Sequence, residues 1–114
     1  TGLGNKSALL KALPVAEADP GSSVIVLDLN NLGIMNKRAG HSVGDTCIST
    51  AAKIIARHAN RAFRFGGDEF VAIVESKRAR RILYYMEQEF GSVRHSDCEY
   101  VVSLSGAVGK TFAE

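Results

Sequence analysis

Residues 22–29, SSVIVLDL, constrain the fold more than any other stretch of this chain. The run is continuously apolar over 24–27 and rich in β-branched side chains. A strand with one wet face alternates apolar and polar residues, so a continuous run reads as a strand buried on both faces. Such a strand needs packing above and below its sheet. Helical patterns supply it. Residues 5–12, NKSALLKA, read as a helix ended by Pro14. Residues 46–59 place Ile48, Ala51, Ala52 and Ile55 on one helical stripe, and residues 77–90 do the same with Ile82, Tyr85, Met86 and Glu89.

The remaining strands come from AFRFGGDEFVAIVE, residues 62–75, and from YVVSLSGAVG, residues 100–109. Residues 61–65 and 69–75 read as strands around Gly66 and Gly67, a pair that can supply the positive φ angles of a two-residue hairpin turn. Residues 17–22 read as a loop, and residues 30–45 as a short helical turn followed by a loop. The order is α-β-α-β-β-α-β, without repeat, linker or low-complexity tract, and implies a single domain over residues 1–114.

Composition narrows the function classes. The chain is 46% hydrophobic and 23% charged, which is that of a globular domain and not of a disordered tail. A net charge of +2 does not suggest a nucleic-acid groove. No apolar run approaches the ~20 residues that span a bilayer, and no signal-peptide pattern opens the sequence, so a cytoplasmic domain without membrane contact of its own is expected, in a parent chain that can itself be membrane-anchored. Cys47 and Cys98 are far apart and lack zinc-ligand spacing to histidine, which suits reduced thiols. His58 and His95 are expected at the surface.

Three motifs bear on chemistry. GLGNKS, residues 2–7, ends like a phosphate-binding loop, but its glycine spacing is wrong and no strand precedes it; it reads as a helix start. Asp28 emerges where the buried strand stops, either to cap the next turn or to hold a ligand. Asp68 and Glu69 follow the glycines, either as a solvated pair or as part of a cluster with Asp28, since a hairpin tip can lie beside a neighbouring strand end. Three carboxylates close together repel unless a cation neutralises them, and a hard divalent ion with oxygen ligands fits that need.

FRFGGDEF resembles the signature of the GGDEF domain family, the diguanylate cyclases. TGLGNK, DLNNLGIMNKRAGHSVGD and SLSGAVG resemble further segments of that family in the same order, so the resemblance covers nearly the whole chain. It implies an α+β ferredoxin-like palm, with a mostly antiparallel central sheet and flanking helices, as in nucleotide cyclases and polymerase palms. It implies condensation of two GTP molecules into cyclic di-GMP with release of two pyrophosphates, a bacterial second-messenger reaction completed between two facing domains. By similarity Asp28, the Leu29 carbonyl, Asp68 and Glu69 hold Mg²⁺ or Mn²⁺, and Asp68 or Glu69 helps deprotonate the attacking ribose 3′-hydroxyl. Asn36 and Asp45 match the guanine-binding pair, and Leu32, Gly66 and Gly67 fall at the nucleotide. The bland alternatives are a turn Asn36 and an Asp45 that caps the following helix. His41 takes a structural role.

Departures from the family pattern are specific. Gly33 stands where a phosphate-binding Lys is usual, Lys37 replaces the usual Asp, and the family's C-terminal helix with its further Lys and Arg is not in residues 1–114. The usual inhibitory RxxD tetrapeptide is RHAN, with Arg57 kept and Asn60 replacing the acid. The metal and base-reading ends are thus intact in sequence while the phosphate clamp is reduced. The alternative to a cyclase is a GTP- or cyclic-di-GMP-binding regulatory module. The expected partners are GTP, the cyclic product, a second copy in a regulated homodimer, and sensory domains of a longer chain.

Overall fold

A computed structural model describes residues 3–59, 61–93 and 102–111. Thr1, Gly2, Asn60, His95, Cys98 and the start of the last expected strand lie outside the described residues, as does the side chain of His41. The elements are α1 (Lys6–Ala18), β1 (Ser22–Asn30), α2 (Leu32–Ala39), α3 (His41–His58), β2 (Arg61–Arg64), β3 (Glu69–Glu75), α4 (Ala79–Ser92) and β4 (Ser103–Gly109), with a 3₁₀ turn at Ser76–Arg78 before α4. The strands form one sheet in the order β2-β3-β1-β4, and every pairing is antiparallel. The α+β sheet-and-helix architecture expected from the sequence is present.

β1 is central and divides the core by its alternation. Ile25, Leu27 and Leu29 join Phe70, Ala72 and Val74 on one face, packed with Cys47, Ala51, Ala52, Ile54 and Ile55 of α3 and Ile82, Met86 and Phe90 of α4. Val24 joins Val71, Ile73 and Phe63 on the other face, under Leu9, Ala12, Leu13 and Ala16 of α1. Each fully buried large aliphatic or aromatic side chain contributes about 1.5–3 kcal/mol, so the two-faced strand is the main apolar anchor of the domain. Cys47 is fully buried.

Four local expectations need correction. α1 does not end at Pro14 but runs through it to Ala18, shortening the expected loop. Proline frees the carbonyl four residues back, that of Leu10, and Leu10 is 56% exposed, so water can satisfy it. The buried Leu13 and Ala16 on either side hold the helix together across the break. Residues 30–45 are not mostly loop: they form α2 and the first turn of α3. Asn31 (φ 68°) and Gly40 (φ 92°) are the left-handed residues that bracket α2, so these turn formers punctuate helices instead of filling a loop. On α4, Tyr85 is 48% exposed and Phe90 completes the buried stripe. The hairpin loop has three residues, 66–68, because the Phe65 and Gly66 N–H groups both donate to the Glu69 carbonyl, and neither glycine takes positive φ.

Side-chain hydrogen bonds secure the start of α1 and the turn that follows it. The Asn5 carboxamide oxygen accepts from the Ala8 N–H at 2.8 Å, which bears out the helix start read in GLGNKS. At the other end, Asp19 accepts from the Gly21 N–H at 2.9 Å and from the Ser22 hydroxyl at 2.8 Å, and the Lys110 ammonium donates to the carbonyls of Asp19 and Ser22. The Gly21 N–H bond chiefly, then the Ser22 bond and the charge of Lys110, hold the Asp19 carboxyl below its ordinary value of 3.8. A depressed folded value stabilises the fold above the ordinary value and ceases to do so as pH falls through the depressed one. We expect Asp19→Ala to melt below the parent at neutral pH, with the gap closing on acidification; a gap independent of pH would mean that the carboxylate is not the stabilising group.

Candidate active site

The site forms where β1 runs out of apolar residues. In the β1–β3 ladder Asp28 stands opposite Glu69. The Leu29 N–H donates to the Asp68 carbonyl at 3.1 Å, so Leu29 and Asp68 form the hydrogen-bonded pair and Asp28 and Glu69 the neighbouring non-hydrogen-bonded pair. Such a pair brings Cα atoms to about 4.5 Å with both side chains on one face. Asp28 and Glu69 are exposed, and Asp68, half-buried, sits in the bend one residue earlier. Like charges directly opposite in a sheet destabilise it. The repulsion is therefore chiefly across the ladder, between Asp28 and Glu69, and not only between the adjacent residues 68 and 69. Among the described residues no three acidic, histidine or cysteine side chains are gathered tightly enough to enclose an ion as they stand. The backbone sets the donors side by side, and side-chain rotation is what remains to bring them together.

The structure decides against one alternative for Asp28. It lies within β1, and the cap position of the following helix belongs to Asn31. Leu29 and Leu32 are buried in the core, so anything either offers a ligand comes from its backbone. Gly33 is exposed in the first turn of α2, and a Cβ there would meet nothing within 4 Å. The N–H groups of a first helical turn have no partner within the helix and favour an anion.

Asn36 and Asp45 are neither turn nor cap. Asn36 is half-buried inside α2, and Asp45 is exposed inside α3, beyond the Gly40 that starts that helix. Lys37 is exposed beside Asn36. Arg57, near the end of α3, pairs through its guanidinium with Glu89 of α4, and the His58 ring meets the same carboxylate at 2.7 Å. His58 is accordingly half-buried and bonded, not a free surface residue. Asn60 lies outside the described residues.

Two groups at the site escape pattern reading. Arg64 donates from Nε to the Gly66 carbonyl at 3.1 Å and from Nη2 to the Gly67 carbonyl at 2.6 Å, clamping both glycines of the hairpin. The signal available in sequence was a cation inside an apolar strand, two residues before a turn. Asn30 donates from Nδ2 to the hydroxyls of Ser103 at 3.0 Å and Ser105 at 2.9 Å, tying the end of β1 to β4 beside Asp28, whose partner on that side is Ser105. Here the signal was a serine at every second position of a strand.

Residues 1–105 match the family described as diguanylate cyclase, GGDEF domain. The chain is 43% identical over 83 residues to the diguanylate cyclase DgcS of Shewanella oneidensis, covering 66% of this chain and 28% of that protein. It superposes on the solved coiled coil and GGDEF domain of DgcB from Caulobacter crescentus, in complex with c-di-GMP, with a TM-score of 0.81 at 27% identity, covering 95% of this chain and 65% of that one. The GGDEF domain of YfiN from Pseudomonas aeruginosa gives 0.81 at 25% identity, with 98% and 82% covered.

The Arg64 clamp is testable. Arg64→Ala removes two charge-assisted bonds to loop carbonyls, each worth about 1.5–3 kcal/mol where well formed and less at an exposed turn. We expect a lower melting temperature and faster amide exchange over residues 66–69. Unchanged exchange there would show that the loop holds itself.

Proposed function

Because the chain belongs to the diguanylate cyclase GGDEF domain family, we propose that it carries the catalytic chemistry of that family, condensing two GTP molecules into cyclic di-GMP with loss of two pyrophosphates. The observation that carries the reading is the β1–β3 register, which sets Asp28 opposite Glu69 with Asp68 beside them at an exposed strand end. Carboxylates and a main-chain carbonyl are the donor set of a hard divalent cation. Asp28, Asp68, Glu69 and the Leu29 carbonyl would hold Mg²⁺ or Mn²⁺. Bound there, the ion supplies charge neutralisation to the triphosphate and to the oxygens that attack and leave.

The chain's own groups do the rest. Asp68 or Glu69 takes the proton of the ribose 3′-hydroxyl. The glycine loop clamped by Arg64 carries no side chain of its own at Gly66 and Gly67, so its backbone is open to close approach by the nucleotide. Asp45 accepts from guanine N1–H and the exocyclic amine, with Asn36 beside it; adenine lacks those donors, and a site left with unpaired polar groups rejects the wrong base strongly. A second domain completes the reaction, since each holds one GTP. Nothing in this reading requires contact with membrane or nucleic acid; among the described residues no helix is long and apolar enough to cross a bilayer. The chain spans 28% of the length of DgcS, so segments of a longer protein would supply the regulatory input.

Product feedback through Arg57 is reduced in this reading. The guanidinium is already paired with Glu89, and Asn60 cannot replace the usual carboxylate as its partner.

The direct test is incubation with GTP and Mg²⁺, with ATP as control. Cyclic di-GMP and pyrophosphate from GTP alone is the expected outcome. GTP binding without product would favour a regulatory module, a reading that Gly33 in place of a phosphate-binding lysine supports. Gly33→Lys tests whether position 33 serves the phosphates. Open space around Gly33 accepts the side chain, and loss of a helical glycine adds up to about 1 kcal/mol of stability. We expect both a higher melting temperature and tighter GTP binding. A rise in melting temperature with unchanged GTP affinity would remove Gly33 from the phosphate site.

A further inference from the structure

The contact between α2 and α3 contains two features that are each unfavourable alone. Among the described residues, the Asn36 Oδ1 atom is the buried side-chain polar atom left without a hydrogen-bond partner. Beneath it lies Gly44, a buried glycine inside α3, where alanine would favour the helix. The two are one feature. A Cβ on Gly44 would overlap Asn36 Oδ1 and would stand 2.8 Å from its Cγ and 3.2 Å from its Nδ2. The carboxamide occupies the volume that any other residue at position 44 would fill.

From this we infer that Gly44 is a positioning residue for nucleotide recognition: its missing side chain is the notch that seats the Asn36 carboxamide and fixes its orientation next to Asp45. With the oxygen turned into the notch, the amide nitrogen is the atom left to meet a ligand acceptor. Asp45 follows Gly44 directly and is exposed, so the residue that seats the donor-bearing amide also carries the next residue's carboxylate. A donor and an acceptor held in fixed relation fit a base edge that presents both kinds of group, as guanine does. An unpartnered buried acceptor and a helical glycine both weaken the fold, and seating Asn36 for a ligand accounts for both. The inference rests on the proposed role of Asn36 at the base.

A double-variant cycle tests it. GTP and ATP binding in the presence of Mg²⁺, and thermal melting, are measured for the parent, Asn36→Ala, Gly44→Ala and the double variant. Asn36→Ala is expected to weaken GTP binding tenfold or more. Gly44→Ala should weaken it to a similar degree and shrink the preference for GTP over ATP, although it removes no polar group. In the Asn36→Ala background the same change should cost no further affinity and should raise the melting temperature, because the added methyl then fills empty space and favours the helix. The double variant also covers the case in which Gly44→Ala alone folds poorly. Parent-like GTP affinity in Gly44→Ala, or an equal further loss in the Asn36→Ala background, overturns the inference. If Asn36→Ala itself binds GTP like the parent, the assignment of Asn36 to the base falls, and the inference falls with it.

Discussion

Asp28 and Glu69 face one another across the β1–β3 ladder as a non-hydrogen-bonded pair, with Asp68 in the bend beside them. Most of the molecule serves to keep them there. β1 cannot slip by one residue, because that would move Ile25, Leu27 and Leu29 from one packed face to the other. The hairpin cannot drift, because Arg64 holds the Gly66 and Gly67 carbonyls and the Leu29 N–H holds the carbonyl of Asp68. On the far side, Asn30 ties the end of β1 to Ser103 and Ser105 of β4. A repulsive pair persists because a register fixed by apolar burial outweighs a cross-strand cost of about 0.2–1 kcal/mol.

The apolar layers also set where the proposed recognition groups lie. α2 starts two residues after β1, so Gly33 and Asn36 sit on the element that leaves the carboxylate end of the sheet. Gly40 turns the chain into α3, which brings Gly44 under Asn36 and leaves Asp45 exposed beside it. The core and the site are thus consecutive on the chain, and the positive-φ residues Asn31 and Gly40 mark the joints.

Sequence made the core strand and the strands of the hairpin plain, because continuous apolar runs act locally; the Gly-Gly pair marked where the chain turns but not the turn it makes, which has three residues and no positive φ. It also held the order of elements apart from α2, which adds a helix between β1 and α3. The α2 region was opaque for a physical reason: glycine and asparagine signal broken structure, yet here Asn31 starts α2, Gly40 separates it from α3, and Gly33 and Gly44 lie inside the helices. Pro14 misled in the same way, since its cost depends on whether the freed carbonyl reaches water. Within the site, Asn36 and Asp45 were named from resemblance alone. Arg64, Asn30 and Gly44 went unread because their contributions are contacts, to loop carbonyls, to another strand and to an amide on the preceding helix, that no single stretch of sequence encodes.

The central claim is that Asp28, Asp68 and Glu69 form one metal-nucleotide site whose charges are mismatched without it. Thermal melting of the parent, Asp28→Ala and Asp68→Ala, first with EDTA and then with Mg²⁺-GTP, tests it most directly. In EDTA neither variant should melt below the parent, and relief of repulsion can raise stability by a few tenths of a kcal/mol, at the low end of about 0.2–1 for such pairs. With Mg²⁺-GTP the parent alone should gain substantially, since a ligand that binds only the folded state stabilises it by mass action. Equal gains in all three proteins would contradict the shared site and leave the carboxylates as ordinary surface charges on a familiar fold.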